Sequence, residues 1–486
     1  MASKRLHLRL VHADVDMGFV DNEGTRGPEV AKTSRARRAG VLTAGGAVLA
    51  LAMGACAGDD LGGSGGGGGG DASADCAAFE SYGTFEGETV SISSTISDQE
   101  ADQLEESWAD FEECTGITIE HNGTNEFESQ IFVQVEGGNA PNLAIFPQPG
   151  LLSRMKAEGH VVPAGQQAQA AADENYTEDW LKYGTIDGEL YGVPVMGSVK
   201  SFVWYSPSAF TENGYEVPTT WDELMTLTDT IAADHGSDSV KPWCSGIESG
   251  GATGWPATDF VEDMVLREAG PDVYDQWVNH EIPFDDPQIV ASLDRAGEIL
   301  QDPERVNGGI GDPRSVATTP WAEAGLQVLD NTCFLFRGAS FFEAQLPEGT
   351  DVGPEGDIFA FYLPADTADE QPLLVAGDYL GAFDDGKATQ AVHAYLASPE
   401  WANARVSIGG VVSPNQGVDP ANASSDLLRL TLELMQDEDA VARFDGSDLM
   451  PSEVGAGSFW TSMTNWVDGK VDTQKALSTV ESSWPN

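Results

Sequence analysis

From Thr89 to Thr95 the chain reads TVSISST, apolar and polar residues alternating as in a strand with one buried face. Ser97 and Glu100 then predict a capping box, ahead of a helix whose Leu104, Trp108 and Phe111 share one side. Gly116 closes that helix and Ile117–Glu120 reads as a second strand. A helix around Glu126–Val135 and a strand over Asn142–Phe146 complete a β-α-β-α-β order, which favours a parallel sheet. In such sheets the ligand crevice lies beyond the carboxyl ends of the strands. Gln148, in Pro147-Gln148-Pro149-Gly150, and the loop carrying Glu126 are therefore placed to meet a ligand. The plainer reading of Gln148 is a turn residue between two prolines.

Further along, Tyr191–Val195 and Val199–Tyr205 form a strand-like pair, and PTTWDEL (Pro218–Leu224) opens a helix with Thr220 and Glu223 as its capping box. The stretch from Lys241 to Arg267 has three pieces. A short buried run, Trp243–Ile247, is followed by a Gly-rich turn, Ser249–Gly254, and then by Trp255-Pro256 and a helix from about Thr258. Proline suits a helix entry, where its missing N–H costs nothing. This arrangement sets the Glu248 carboxylate and the Trp255 indole beside flexible backbone and a helix N-terminus, a combination suited to a polar, uncharged ligand with apolar faces. The alternative is a core Trp in an ordinary strand–turn–helix. Asn331–Phe336 reads as a buried strand leaving through Arg337 towards Phe341 and Phe342, a further ligand surface; being adjacent, only one of those two rings can face a core fully. Helices are expected to dominate after Leu373–Phe383, with a late Phe459-Trp460 in Ser458–Val467.

The chain has 486 residues, room for two or three domains' worth of core, and carries 24 basic against 79 acidic side chains. The first 55 residues hold 8 basic and 5 acidic groups, leaving 16 against 74 in the rest. Such a surface repels nucleic acid and anionic lipid headgroups. The carboxylates are spread along the chain rather than clustered at metal-ligand spacing, so the acidity reads as a solvated surface, with cation binding as the alternative.

The N-terminal region explains the remaining basic residues. Ser34–Arg38 is a basic cluster, Ala39–Ala55 is uncharged, and Cys56 follows, the layout of a secretory signal. Met53-Gly54-Ala55-Cys56 resembles a bacterial lipobox, whose cysteine takes a diacylglyceryl group. Because residues 1 to about 30 look unlike a signal, Met17 is a candidate start. Gly62–Gly70, broken only by Ser64, is a flexible tether. Export makes disulfides possible. Cys76, Cys114, Cys244 and Cys333 allow three pairings, of which Cys76–Cys114 and Cys244–Cys333 are preferred. The first would tie the start of the domain to the end of its first helix, and the second would link two apolar segments of one lobe.

Several chemistries are missing. Gly381–Ala388 nearly matches a P-loop, but Ala388 stands where a magnesium-binding hydroxyl is needed, and Asp384 and Asp385 would oppose phosphate. No G-x-S-x-G elbow or H-E-x-x-H pair occurs. No metal, cofactor or nucleophile is identified, and no enzyme activity is expected.

GGNAPNLAIFPQPGLL (Gly137–Leu152), YGVPVMGSVKSFVWYSP (Tyr191–Pro207), PTTWDEL, WCSGIESGGATGWPATDFVED (Trp243–Asp263) and CFLFRGASF (Cys333–Phe341) together resemble the solute-binding proteins of sugar ABC importers, the maltose-binding-like family, and most of all its α-glucoside branch. The resemblance implies an α/β fold of two discontinuous lobes joined by a multi-strand hinge. It implies a secretory segment over 1–55, a lipidated Cys56 and tether over 56–76, one lobe from 77–198 with 375–422, and a second from 199–374 with 423–486. By analogy the ligand meets Gln148, Glu248, Trp255, Phe341, Phe342, Asp378, Tyr379 and Trp460, with Glu126, Asp259 and Arg337 nearby. Partners would be a small-molecule sugar and the permease subunits, with the membrane met only through the lipid anchor on the outer face of the cell and the protein a monomer. Two alternatives remain: an exported glycoside hydrolase, and the same fold binding a cation such as a polyamine.

Overall fold

The computed structural model describes residues 76–235, 239–436 and 440–485. The secretory segment, Cys56 and the Gly-rich tether through residue 75 lie outside them. Among the described residues no helix is long and apolar enough to cross a membrane.

Two lobes are built on two sheets. The first sheet contains Thr89–Ser94 at its heart, paired in parallel with Thr118–Gly123 on one side and Leu143–Phe146 on the other. The β-α-β-α-β reading thus gives the parallel pairs it implied. The first helix is broken at Ser107-Trp108 into Asp98–Glu106 and Ala109–Thr115. Its capping box does not form. The Ser97 hydroxyl donates to the Asp98 carboxylate at 3.1 Å instead, and Glu100 turns to the wall of a cavity. At the second predicted box the Thr220 hydroxyl does accept the Glu223 N–H (3.3 Å), while the Glu223 carboxylate reaches Thr219, one residue further back.

The long strand Pro372–Ala382 joins this sheet antiparallel to Leu143–Phe146 and lies antiparallel to Gly192–Val199 along its other edge. Its first four residues pair in parallel with Val441–Phe444. Helices dominate after Pro372–Ala382 as expected, and that last short strand corrects one expectation, that residues 423–486 all lie in the second lobe. Leu428 and Leu432, on the helix Asp426–Gln436, pack with Ala402, Val406 and Val412 in one apolar cluster, so 426–444 belongs with the first lobe. The signal was weak because VARF, Val441–Phe444, is short and half exposed.

The second sheet orders Phe359–Tyr362, Phe202–Tyr205, Cys333–Arg337 and Lys241–Trp243. Tyr191–Val195 and Val199–Tyr205, expected as a pair, do not pair: the strand Gly192–Val199 belongs to the first sheet and Phe202–Tyr205 to the second, and Lys200-Ser201 crosses between the lobes. There the Lys200 N–H donates to Leu374 O (2.8 Å), and the Ser201 hydroxyl accepts the Leu374 N–H (2.9 Å). The chain crosses again before Pro372–Ala382 and after Phe444, making the hinge multi-stranded.

Both preferred disulfides are formed. Cys76–Cys114 ties the short helix Cys76–Tyr82 to Ala109–Thr115, and Cys244–Cys333 joins the ends of two adjacent parallel strands. The P-loop-like Gly381–Ala388 is a strand–turn–helix connection. Asp384 fills its turn, accepting the Gly386 N–H (2.7 Å), the Thr389 hydroxyl (2.9 Å) and the Asn142 amide (2.7 Å).

Candidate functional site

The helix Trp255–Glu268 carries one wall of the site and starts a turn earlier than predicted, with Pro256 in its first turn. Its N-cap, Gly254, has φ +118°, and a Cβ there would lie 2.4 Å from Trp460 O. Only glycine permits both the conformation and the approach, and together they bring Trp255 beside Trp460. Upstream, the Glu248 N–H donates to Thr319 O (3.0 Å) and Glu248 O accepts from Trp321 N (3.1 Å), which holds Trp321 next to the same wall. The Glu248 carboxylate accepts the Gly250 N–H at 2.8 Å.

Between the lobes lies a cavity of about 510 Å³, within the range typical of small-molecule sites. Gln148, Glu248, Trp255, Asp259, Phe341, Asp378 and Trp460, drawn from five separate stretches of sequence, all line it. Trp255, Trp321 and Phe341 form a three-ring corner, with centroids 5.3 Å (Trp255–Trp321), 5.8 Å (Trp255–Phe341) and 5.7 Å (Trp321–Phe341) apart.

The other candidates lie outside the lining, each for a definable reason. Phe342 is the ring that faces the core, packed on Trp204 and Phe336, which turns its neighbour Phe341 to the cavity. Tyr379 follows Asp378 on a strand, so the two point to opposite faces. Its hydroxyl donates to Trp180 O (3.0 Å) inside the first lobe. Arg337 stands behind the wall, donating to Asp259 and Asp263 at 3.2 Å, and so positions Asp259. Glu126 is exposed at the rim against the Gly-rich turn, since a Cβ on Gly251 would lie 2.9 Å from Glu126 Oε2.

Sequence reasoning missed Lys200, Trp321, Glu128, Asp445 and Asp448, which also line the cavity. A lysine between two apolar strands was the visible signal for the first. Its ammonium lies 2.9 Å from Asp259 Oδ2 and 3.1 Å from Asp445 Oδ2. Burial works to lower the Lys200 pKa, but these carboxylates outweigh it, so the group stays charged. Burial pushes Asp259 up to about 7, against the pull of Lys200, and pushes Asp378 to about 7, aided by Glu100. It also raises Glu128, despite an amide N–H from Gln148 at 3.2 Å, and raises Asp448 well above the ordinary range. The lining therefore carries less negative charge than its carboxyl count suggests.

Four polar atoms of lining residues are buried without a hydrogen-bond partner: Glu128 Oε2, Gln148 Oε1, Asp259 Oδ1 and Trp460 Nε1. An unmet buried donor or acceptor costs roughly 1–3 kcal/mol. Three acceptors and one donor around an aromatic corner are therefore matched to a partner with hydroxyl groups and apolar faces. Among the described residues no group of His, Cys, Asp and Glu is arranged to hold a metal ion.

The profile of the bacterial extracellular solute-binding protein family matches residues 97–403. The chain is 39% identical over 402 residues to the osmoprotective compounds-binding protein GgtB of Synechocystis, an alignment covering 82% of this chain and 92% of that one. It is 35% identical over 410 residues to the α-glucosides-binding periplasmic protein AglE of Rhizobium meliloti, covering 82% and 87%. The solved structure of the solute receptor AcbH superposes with TM-score 0.67 at 18% identity, covering 81% of this chain and 98% of that one. Maltose-bound MalE3 of T. maritima does so at 0.64 and 14%, covering 81% and 98%; these two likenesses speak for the fold. The chain belongs to the bacterial extracellular solute-binding proteins that serve ABC sugar importers, and it holds its ligand rather than transforming it.

Proposed function

We propose that this protein captures a small uncharged glycoside, an α-glucoside or an osmoprotective compound of similar size, between its lobes and delivers it to a membrane permease. The observation that carries this reading is the set of four unpartnered buried polar atoms beside the Trp255–Trp321–Phe341 corner. A sugar ring offers C–H faces to the indoles and hydroxyl edges to the carboxylates and amide. In this reading Trp255 is the stacking platform, Asp259 and Gln148 accept ligand hydroxyls, and Trp460 donates. Glu248 and Asp378 bound the two sides, and Arg337 acts through Asp259. Closure of the lobes then presents a bound form for the permease to recognise. The names of the two relatives above, one for osmoprotective compounds and one for α-glucosides, support the ligand class. A lipid on Cys56 would hold a monomeric receptor at the outer face of the membrane.

Titration with trehalose, sucrose and maltose, read by tryptophan fluorescence and melting temperature, tests this. At least one should shift both signals at micromolar concentration. Silence with every sugar at millimolar concentration would remove the glycoside reading. The cationic-solute alternative draws on the many carboxylates of the lining; against it stand their raised pKa values and a lysine already in their midst.

A further inference from the structure

The aromatic corner already contains a cation. Lys200 Nζ lies 4.8 Å from the centre of the Trp255 ring and 5.7 Å from that of Phe341, and Trp321 stands edge-on to both rings. Asp259 and Asp445 close the other side at 2.9 and 3.1 Å. Rings on one side of a positive charge and carboxylates on the other make up the arrangement by which proteins recognise quaternary ammonium groups. Here it is filled from within, by a side chain only 7% exposed. The backbone of that side chain is fixed by the Leu374 hydrogen bond at the lobe crossing.

We propose that Lys200 is the specificity-determining residue of this site: it occupies a latent cation cage, so that the protein accepts uncharged ligands and refuses cationic ones. A ligand ammonium entering the corner meets a like charge in a water-poor space, where repulsion is poorly screened. Both carboxylates that would receive it are already engaged by Lys200. A neutral polyol meets no such penalty, and the lysine has three N–H donors of which two are directed at carboxylates. For the natural ligand this inference rests on the glycoside reading; for the cage it does not.

The test is Lys200→Ala, which empties the cage while keeping its rings and carboxylates. Purified wild type, Lys200→Ala, Lys200→Met and Lys200→Arg are titrated with tetramethylammonium and choline, and separately with trehalose, sucrose and maltose. Wild type, Lys200→Arg and Lys200→Met, which keep the space filled, should show no response to either cation. Lys200→Ala should gain affinity for both, by roughly thirty-fold or more over wild type, the size of one desolvated cation–aromatic contact. The double variant Lys200→Ala/Asp445→Asn leaves one buried carboxylate facing the rings and covers the case in which the single variant does not fold. Choline binding by wild type, an equal gain in Lys200→Met, or no gain in a folded Lys200→Ala or double variant would each overturn the proposal. A wild type silent to all sugars beside a Lys200→Ala protein that takes choline would sink the glycoside reading and leave the cage standing. A wild type that binds sugar beside a folded, cation-silent Lys200→Ala protein would do the reverse.

Discussion

Glu126 of the first lobe lies against Gly251 of the second so closely that a Cβ on the glycine would stand 2.9 Å from the Glu126 carboxylate. The Gly-rich turn is therefore where the two lobes meet at the rim of the cavity, and its lack of side chains is what admits the meeting. Gly251→Asp sets a like charge against Glu126 and should hold the lobes apart, weakening sugar binding roughly tenfold or more with little change in melting temperature. Adding Glu126→Ala should restore most of the affinity. Wild-type affinity in Gly251→Asp alone would show that this contact has no part in closure.

Trp255 is half-buried at the first turn of its helix, with one ring neighbour at 5.3 Å and another at 5.8 Å. Loss of a stacking platform should remove about 2 kcal/mol, roughly thirty-fold in Kd. Trp255→Ala should show this by titration calorimetry with an unchanged far-ultraviolet spectrum. Equal affinities would make Trp255 a core residue and nothing more.

The order β-α-β-α-β, the two disulfides and the places of Gln148, Glu248, Trp255 and Phe341 could be read from the residues because each left a local mark: a period of two, a cysteine in an apolar run, a Gly-rich turn beside a tryptophan; Asp259, Asp378 and Trp460 came from the family resemblance alone. Asp445 and Asp448 left none that distinguishes them, since a chain with 79 carboxylates hides two useful ones, and Lys200 showed only as a lysine between two apolar strands. What singles them out is burial, and burial is a property of the assembled lobes. Phe342 and Tyr379 show the converse limit. Each was one residue from a lining side chain; in the strand of Tyr379 one residue reverses the direction, and in the tight helix Ser340–Gln345 it turns it by about 120°.

The pH dependence of stability has a predictable sign. Burial pushes Asp259, Asp378 and Glu343 each up to about 7. A carboxyl raised on folding holds its proton where the unfolded chain has lost it, so its contribution is full at acid pH and disappears as pH rises through about 7. His393, lowered to about 4 by burial, contributes oppositely. So does Asp445, where burial is outweighed by Lys200 and the pKa falls. His121, also lowered by burial, acts as His393 does. The raised carboxyls, Glu128 and Asp448 among them, still outnumber these groups, and relief of self-repulsion in a chain of net charge −55 acts in the same direction. Melting temperature should therefore be higher near pH 5 than near pH 8, by roughly several degrees, and Asp259→Asn should flatten the slope. A melting temperature that climbs from acid to alkaline pH would contradict the assignment.

Cys244–Cys333 closes a sequence separation of 89 residues and ties the run leading to Glu248 to the strand leading to Arg337. Its removal frees a long loop in the unfolded chain, worth about 2–5 kcal/mol. Cys244→Ser/Cys333→Ser should lower the melting temperature by several degrees, with Cys76–Cys114 left intact. If the double variant melted with wild type, the bridge would be stabilising neither lobe nor site.

Salt separates a neutral ligand from a charged one without any substitution. The surface potential of this acidic chain concentrates cations near it, and that attraction is screened over about 8 Å at physiological ionic strength. A cationic ligand held by the cavity's carboxylates would therefore lose affinity steeply as salt rises. A glycoside carries no charge to be screened, and its partners are buried: Gln148 is 6% exposed, Asp259 1% and Trp460 3%. Its Kd should change by less than about twofold between roughly 0.05 and 0.5 M sodium chloride, whereas choline binding to Lys200→Ala should weaken markedly over the same range. A steep salt dependence for the natural ligand would mean that it carries charge into the cavity, and the neutral-glycoside reading would have to be abandoned.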